Sequence, residues 1–400
     1  MQFAAIFLHN SCSMFASRTN WNLAENCLTI ATAEHCRSGR PFFDLTISNP
    51  TECGFAYDES AILAALHSPA SLHYEPAAQG LLSAREALSS YYREKKAAIA
   101  VPDLFLTTST SEAYSYLFRL LCNPGDEILI PSPSYPLFDF LADINDVRLV
   151  RYPLVYDHGW QLDFSSFERA VASRTRGAIV VHPNNPTGHY ATPREQVQLA
   201  TLCAQNNLAI IADEVFLDFA VQRTAAPTFA AQNNALTFTL SGISKLCGLP
   251  QMKAAWIAIS GPDGLKSDAR ARLEVIADSF LSMNAPIQHA LPALLATRGT
   301  FQSQLLARVR TNLVQLDAQL SAQTLCSRLA FEAGWNAVLR VPATQSDELL
   351  ALALLTDRGV LVHPGHFYDF SQDGYLVLSL IAAEQTFQEG VRRLLRHFTQ

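Results

Sequence analysis

The sequence predicts an α/β fold: a large domain with a mostly parallel seven-stranded sheet flanked by helices, and a smaller α+β domain. Two observations lead to this prediction. Short apolar runs of four to six residues alternate with amphipathic helical patterns through the first part of the chain. From about residue 265 onward the pattern becomes mainly helical, and strand-like runs return only after residue 330. Continuous apolar runs of this length are typical of strands buried on both faces, and their alternation with helices is typical of a parallel sheet.

The strands of the large domain are predicted from seven apolar runs, most of them bounded by Asn, Pro, Gly or Asp. These runs lie at 104–107, 127–130, 147–150, 177–181, 208–212, 236–240 and 254–259. Helices with one apolar face are expected between several of them, for example at 112–122 and 193–204. We expect this domain to span residues 50–290.

The C-terminal part has the pattern of a second, smaller domain. A long helix is predicted at 300–323. Beyond it the sequence predicts short strands at 337–341, 360–363 and 375–380 and helices at 346–358 and 383–398. Because helices and strands are mixed here without regular alternation, this part is predicted to be α+β. We expect it to span residues 300–400 and to pack with the N-terminal segment 1–49.

Composition and charge exclude several classes of function. The chain has 400 residues, with 29 Lys and Arg against 36 Asp and Glu, a net charge of −7 and no basic run, so nucleic-acid binding is not expected. Its eight cysteines form no C-x-x-C pair and no zinc-type spacing, which predicts no metal site and a reducing compartment. A membrane span is not expected either, because no apolar run approaches the ~20 residues that it needs.

The N-terminal residues bear on the location of the protein. The apolar stretch Phe3–Leu8 has no preceding Lys or Arg and is shorter than the apolar core of a signal peptide. We therefore expect a cytoplasmic protein. A further hypothesis is that translation starts at Met14, because the chain from Phe15 to Trp21 has the pattern of the opening of a folded domain.

Polar side chains at the ends of predicted strands are the first candidates for a functional site, because ligands of open α/β sheets collect there. Ser109 and Thr110 lie at the start of a predicted helix, and Ser109 with Glu112 fits a capping box. A helix N-terminus binds anions through its free N–H groups, although an ordinary helix cap explains the same residues. Asn185, in the segment 182–188, could donate to a ligand oxygen, and an ordinary turn is the alternative.

Asp213 and Lys245 are candidates of a different kind, because each carries a charge after an apolar strand. A carboxylate is seldom buried without a partner, and burial lowers the pKa of a lysine so that its amine can attack carbonyl groups. A helix cap for Asp213 and a solvated side chain for Lys245 are the alternatives. Their order along the chain, however, favours a shared function. It is a Ser/Thr turn, then Asn-Pro-Thr-Gly, then an Asp that ends a strand, then Ser241-Gly-Ile-Ser-Lys245. A cofactor that carries a phosphate and an aldehyde needs groups of these kinds: an anion-binding turn, a carboxylate and an amine.

With these motifs the chain resembles the class I/II aminotransferases, the fold-type I enzymes that use pyridoxal 5′-phosphate, from about Asp44 to Phe398. The resemblance implies that Lys245 forms a Schiff base with the cofactor and that Asp213 pairs with its ring nitrogen. Further cofactor-binding residues that it implies are Asn185 at the phenolic oxygen, Ser109 and Thr110 at the phosphate, Tyr135 stacked on the ring, Ser241 in the serine–lysine segment, Lys253 at the position of a phosphate-binding arginine, and Tyr74 at the phosphate of the neighbouring subunit. It thereby implies a homodimer.

Three positions depart from the pattern of this family. Lys253 replaces an arginine, so a single charge stands where a two-pronged guanidinium would bind the phosphate. Phe216 replaces a tyrosine that donates to the phenolic oxygen, and the loss of that donor is expected to raise the pKa of the Schiff base. Val377 replaces an arginine that binds the substrate carboxylate. Arg18 and Arg340 are the candidates to take its place, and a substrate without an ordinary carboxylate at that position is the alternative.

The resemblance predicts an aminotransferase that moves an amino group between an amino acid, or a related amine, and a 2-oxo acid by a ping-pong mechanism. The change at Val377 leaves a second hypothesis, a lyase that uses the same cofactor for β-elimination or related chemistry on an amine. A cofactor-binding regulator with a DNA-binding domain is a third hypothesis, and the absence of a basic patch disfavours it.

Overall fold

The computed structural model describes residues 14–221, 226–281 and 283–399. The segment before Met14, to which the hypothesis of a second start refers, lies outside the described residues. The helices are α1 (Cys27–Arg37), α2 (Glu59–Leu66), α3 (Leu82–Glu94), α4 (Thr110–Leu121), α5 (Phe138–Asp143), α6 (Phe164–Ala170), α7 (Pro193–Gln205), α8 (Ile243–Leu246), α9 (Asp263–Ser279), α10 (Ala285–Ala296), α11 (Arg298–Leu320), α12 (Asp347–Arg358) and α13 (Glu384–Thr399). The strands are β1 (Phe43–Asp44), β2 (Leu104–Thr107), β3 (Glu127–Ser132), β4 (Arg148–Tyr156), β5 (Trp160–Leu162), β6 (Thr175–Val181), β7 (Ala209–Asp213), β8 (Thr237–Gly242), β9 (Ala255–Ser260), β10 (Ser327–Arg328), β11 (Asn336–Arg340), β12 (Val360–Leu361), β13 (His363–Pro364) and β14 (Tyr375–Ser379).

Eight strands form the large sheet, in the order β2-β9-β8-β7-β6-β3-β4-β5. The five central strands from β8 to β4 pair in parallel, whereas β9 is antiparallel to both of its neighbours. All seven predicted strands are present. The predicted number of strands was wrong by one, because the three-residue strand β5 pairs with the end of β4. Only Trp160 and Leu162 of β5 are apolar, so it shows no continuous apolar run.

Local sequence explains where the helices beside this sheet begin. Thr192 and Glu195 form a capping box at the start of α7, and Pro193 occupies its first turn, where a missing N–H costs nothing. The Ser109 side chain accepts a hydrogen bond from the N–H of Glu112 at the start of α4. These helices bury their apolar faces against strands that are themselves buried, such as β7. Because β6, β7 and β8 are parallel, their C-terminal ends lie at the same edge of the sheet, where the helix N-termini also lie.

The small sheet is antiparallel and has the order β10-β11-β14-β13. Its strands share an apolar core with α11, α12 and α13, and Leu28 and Leu45 from the N-terminal segment pack into the same core. Strand β1 adds a parallel pairing to β12. The predicted helices and strands of this part are present within a few residues of their expected bounds, except that the strand predicted at 360–363 is divided into β12 and β13, which belong to different sheets. The domain limits 50–290, 1–49 and 300–400 stay predictions.

Three observations on the described residues bear on the classes of protein considered above. No described helix combines the length and the apolar character that crossing a membrane requires. The seven described cysteines are free thiols. Within the same residues, no three His, Cys, Asp or Glu side chains are grouped so that they could hold a metal ion.

Candidate active site

A cavity of about 540 Å³ lies at the ends of the large-sheet strands and is closed on its other side by residues of the small sheet. This volume is in the range of small-molecule sites. Seven of the nine predicted site residues line it, namely Ser109, Thr110, Tyr135, Asn185, Asp213, Lys245 and Lys253. Residues separated by up to about 140 positions in the sequence therefore meet in one place, as the strand-end argument predicts.

Lys245 lies in the short helix α8, directly after strand β8, and is partly buried. Its Nζ atom is 5.1 Å from the ring centroid of Trp335 and 5.9 Å from that of Phe216. Burial between these rings lowers the pKa of Lys245, and the carboxylate of Asp213 offsets only part of this effect. A larger fraction of the amine is therefore uncharged than in water, which is the form that attacks a carbonyl group.

Asp213 is the last residue of β7 and is buried at the floor of the cavity. The hydroxyl of Tyr114 donates to its Oδ2 at 3.0 Å, and the N–H of Val215 donates to its Oδ1 at 3.2 Å. Burial raises the pKa of Asp213, while these two hydrogen bonds and Lys245 act in the opposite direction. Each carboxylate oxygen can accept more than one hydrogen bond, so Asp213 can also bind a protonated ring nitrogen.

The N-terminus of α4 and Lys253 form an anion-binding corner of the cavity. The capping box predicted here is present only in part, because the carboxylate of Glu112 accepts from the N–H of Thr108 at 2.7 Å instead of from that of Ser109. Thr110 and Ser111 begin the helix, and their first-turn N–H groups have no partner within it. Together with the helix dipole and the charge of Lys253, these groups fit a phosphate.

Asn185 connects the two sides of the cavity. Its Oδ1 accepts a hydrogen bond from the Nδ2 of Asn336 in β11 at 2.7 Å. Because Asn336 uses the oxygen, the donor that Asn185 can offer to a ligand is its own Nδ2 group. Tyr135 lies at the mouth of the cavity, with its ring edge-on to Phe138 at 6.2 Å between centroids.

Two predicted site residues lie away from the cavity lining. Ser241 is buried in β8, and its Oγ has no hydrogen-bond partner among the described residues. Gly242 and Ser244 line the cavity instead, which follows for Gly242 because successive residues of a strand point to opposite faces. Tyr74 is 74 % exposed and lines a separate, smaller cavity with Met283.

The positions that depart from the family pattern have different surroundings. Phe216 lines the cavity and packs edge-on against Trp335, with 4.8 Å between ring centroids. Val377 is buried in the middle of β14. Neither arginine suggested in its place lines the cavity: Arg18 pairs with Asp146 on the surface, and Arg340 lies at the exposed end of β11, where it donates to the hydroxyl of Tyr375 at 3.3 Å. The proposal that one of them replaces the missing arginine in this chain's own cavity is therefore wrong.

The sequence analysis missed most residues of the small-sheet side. Trp335, Asn336, His363 and Tyr368 line the cavity, and the Nδ1 atom of His363 is 3.1 Å from the hydroxyl of Tyr368. Burial lowers the pKa of His363, and Asp44 acts weakly in the opposite direction. Asn336 and His363 could have been predicted, because they stand at the ends of predicted strands. Tyr114, whose hydroxyl contacts Asp213, could also have been predicted, because it lies one helical turn after Thr110 and so on the same face of the helix.

A second cavity, of about 750 Å³, is larger but lacks the lysines and the anion-binding corner. Its notable feature is His189, which is buried between Glu195 at 3.5 Å and Glu332 at 3.4 Å. Burial alone would lower the pKa of His189, but the two carboxylates outweigh it, so the pKa is raised. Glu195 belongs to α7, beside the large sheet, and Glu332 precedes β11 of the small sheet, so His189 and the two carboxylates connect these two parts of the chain. None of the three residues lines the first cavity, so they do not contact a ligand bound there.

With this geometry established, comparison with known proteins decides the family. Residues 43–394 match the model of the family described as aminotransferase class I and II. The chain belongs to this family. It is 28 % identical over 371 residues to the glutamate-pyruvate aminotransferase AlaA of Haemophilus influenzae, which covers 90 % of this chain and 91 % of that protein.

Solved structures agree on the fold. An aminotransferase from Escherichia coli superposes with a TM-score of 0.86 at 22 % identity, covering 97 % of this chain and 99 % of that one. An alanine aminotransferase from Pyrococcus furiosus gives a TM-score of 0.85 at 20 % identity, with 93 % and 96 % covered. The predicted fold type, the pyridoxal phosphate cofactor and the aminotransferase activity are confirmed by family membership and named relatives, and the lyase alternative is not favoured.

Proposed function

We propose that Lys245 binds the aldehyde of pyridoxal phosphate and moves the proton while an amino group passes between an amino acid, or a related amine, and a 2-oxo acid. The observation that supports this assignment is the meeting of Lys245, Asp213 and the α4 N-terminus in one cavity. When bound, the cofactor supplies an aldehyde that condenses with amines and a ring that accepts electrons. The donor set fits it: an amine, a buried carboxylate and an anion-binding corner.

Lys245 has two roles in this proposal. Its burial against Trp335 and Phe216 keeps part of the amine uncharged, so that it can attack the aldehyde. When a substrate amine displaces it, the released amine stays beside the rings of Trp335 and Phe216. There it would take the proton from the reacting carbon of the substrate and later return a proton, as a general base and acid.

The other lining residues bind and orient. Asp213 holds the protonated ring nitrogen, and Tyr114 keeps that carboxylate in place. Asn185 donates from Nδ2 to the phenolic oxygen. The remaining contacts are those of Ser109, Thr110 and Lys253 to the phosphate and of Tyr135 to the face of the ring. Ser241 supports this segment from behind the cavity lining, since its neighbours Gly242 and Ser244 line the cavity.

We also propose that the enzyme is a cytoplasmic homodimer. Tyr74 is highly exposed, outside the cavity of its own chain, and close to Leu72, which is 89 % exposed. A second copy covering this surface would bury both side chains and bring Tyr74 towards the phosphate of the other protomer. Sedimentation of the purified enzyme tests the dimer, and a monomer at micromolar concentration would contradict it.

The assignment of Lys245 is tested by reducing the cofactor-loaded enzyme with borohydride and locating the attached mass. We expect the label on the peptide that contains Lys245 and its loss, with the visible absorbance band, in Lys245→Ala. Lys266→Ala is the matched control, because Lys266 pairs with Asp103 outside the cavity. An amino acid should convert the visible band, and a 2-oxo acid should restore it. A label on another lysine would show that the assignment is wrong.

A further inference from the structure

The amine of Lys245 lies over aromatic rings from both sides of the cavity. Its Nζ atom is 5.1 Å from the ring centroid of Trp335, which precedes β11 of the small sheet, and 5.9 Å from that of Phe216, which follows β7 of the large sheet. Both distances are within the ~6 Å at which the face of an aromatic ring attracts a cation. The indole of Trp335 is the nearer of the two, and indole is the strongest aromatic partner of a cation.

The indole of Trp335 is held by contacts on both sides of the cavity. It packs edge-on against Phe216 and tilted against Phe219, with 4.8 and 5.6 Å between ring centroids. The carbonyl oxygen of Trp335 accepts from the N–H of Leu380 at 2.7 Å, and the N–H of the preceding Gly334 donates to the carbonyl of Phe219 at 2.9 Å. The residue is 2 % exposed. The ring face against the lysine amine is therefore fixed by the surrounding protein.

Two influences oppose each other at this amine. Burial lowers the pKa of Lys245, because a charged amine loses its hydration, and the carboxylate of Asp213 acts in the opposite direction. In the proposed function Asp213 binds the protonated ring nitrogen of the cofactor, so its charge is shared with that second cation. The face of Trp335 attracts an ammonium without carrying a net charge, and this attraction does not depend on Asp213.

The other titratable groups of the cavity change this balance little at neutral pH. Burial raises the pKa of Tyr135 and of Tyr368 and lowers that of His363, so all three favour the uncharged form. Lys253 pairs with the phosphate in the proposed function. Among the described residues that line the cavity, no further side chain beyond these and Asp213 titrates near the lysine amine. The ring faces are therefore a principal partner for its charged form.

We propose, on the basis of the proposed function, that Trp335 is a positioning residue whose ring face holds the protonated amine of Lys245 after the proton has left the substrate. In that step the C–H bond of the reacting carbon breaks, an N–H bond forms at Nζ, and the electron pair stays with the carbon. A buried ammonium without a partner is costly. The indole face lowers this cost, and it does so without the stronger attraction of a second carboxylate, which would slow the return of the proton.

The first experiment measures the pKa of the Lys245 amine. The full-length enzyme is loaded with pyridoxamine 5′-phosphate, so that this amine is free, and is acetylated briefly over a range of pH values. Only the uncharged amine reacts, so the pH dependence of the label on the Lys245 peptide gives its pKa. We expect this pKa to be lower by about 0.5 in Trp335→Phe, because a phenyl ring attracts a cation less than indole does.

The sign of this change separates the proposal from a purely structural role. If the indole only excluded water, a smaller ring would admit water, and hydration of the amine would raise the pKa of Lys245. A raised or unchanged pKa in Trp335→Phe would therefore overturn the proposal. Phe219→Leu is the matched control, because Phe219 packs against Trp335 without lining the cavity. It loosens the packing around the indole and leaves the ring over the amine in place, so we expect no lowered pKa.

The second experiment follows the proton transfer in the cofactor-loaded enzyme. L-Alanine and L-alanine with deuterium on its reacting carbon convert the visible band, and the ratio of their rate constants shows how far this transfer limits the conversion. We expect Trp335→Phe to lower the rate constant at saturating L-alanine about threefold and to raise the isotope ratio, with little change in KM. A changed KM with an unchanged isotope ratio would show that Trp335 acts on substrate binding, which would overturn the proposal.

The outcomes separate this proposal from the proposed function. If no amine converts the visible band, the proposed function fails, while acetylation of the full-length chain without cofactor still tests the contact between Lys245 and Trp335. If amines react and Trp335→Phe does not lower the pKa of Lys245, the proposed function stands and the role of Trp335 is wrong.

Discussion

The two sides of the active-site cavity are built on different principles. The large-sheet side carries Asp213 at the end of β7, Lys245 directly after β8 and Lys253 shortly before β9. The small-sheet side presents Trp335, Asn336 and Tyr368 together with His363, whose pKa is lowered by burial. The first side holds charges that a phosphate-bearing cofactor needs in any reaction of this family. Among the described residues, the second contributes no lysine or arginine side chain to the cavity lining, so the two sides differ in charge.

The strongest way to test this division is Asp213→Asn on the large-sheet side. In the proposed function, loss of the carboxylate removes the group that holds the ring nitrogen protonated, and we expect turnover to fall roughly 100- to 1,000-fold. The loss should be equal for alanine and leucine, because in that function Asp213 contacts the cofactor ring and not the substrate. Measured kcat/KM for both amines tests this, with the exposed Asp263→Asn as control. A loss confined to one amine would contradict the division.

Tyr114→Phe should have a smaller effect, with a change in pH dependence. Its hydroxyl donates to Asp213 and lowers the pKa of that carboxylate, so its removal raises the pKa further. In the proposed function, activity requires ionised Asp213 and falls as the pH drops through this pKa. The acidic limb of the pH–kcat profile should therefore move to higher pH, with about tenfold lower turnover.

Tyr116→Phe on the same helix is the control, because Tyr116 does not line the cavity. An acidic limb that moves by the same amount in both variants would show that the shift does not come from Asp213.

On the small-sheet side, Asn336→Ala should lower kcat/KM by only about three- to tenfold, which corresponds to the loss of a neutral hydrogen bond. The variant loses the 2.7 Å bond to Asn185, so the Asn185 amide is no longer held with Nδ2 free to donate to a ligand. Asn336→Asp also loses this donor and adds a negative charge beside the Asn185 oxygen, so we expect a larger loss than in Asn336→Ala. Measured kcat/KM of the two variants tests this, and equal losses would contradict it.

The smallest expected effect is on stability, through His189. The pKa of His189 is raised in the folded enzyme, so its charged form stabilises the fold fully below the unfolded value of 6.5, and this contribution is lost as the pH rises through the folded pKa. Glu332→Gln should lower the free energy of unfolding by about 1 kcal/mol at acidic pH and by less at alkaline pH. Denaturant unfolding at several pH values measures this difference, and a constant difference would contradict it.

The sequence analysis succeeded for features that a short stretch of sequence determines by itself. Continuous apolar runs predicted every long strand of the large sheet, and polar residues at the ends of those runs predicted the residues around Lys245. It failed for residues whose position depends on contacts with distant parts of the chain. Strand β5 has three residues and exists only through its bonds to β4. Ser241 is one residue too early to face the cavity in a strand of period two. Asn336 and His363 become neighbours of Lys245 only when the small sheet packs against the large one.

The division of the cavity also has a consequence for descent. The residues that would carry the chemistry lie between Ser109 and Lys253, whereas most of the lining on the small-sheet side comes from one later stretch, from Asn336 to Tyr368. A lineage can therefore acquire a new substrate through changes in this later stretch while inheriting its catalytic apparatus intact. The residues from Asn336 to Tyr368 are then the first place in this chain to look for determinants of substrate choice.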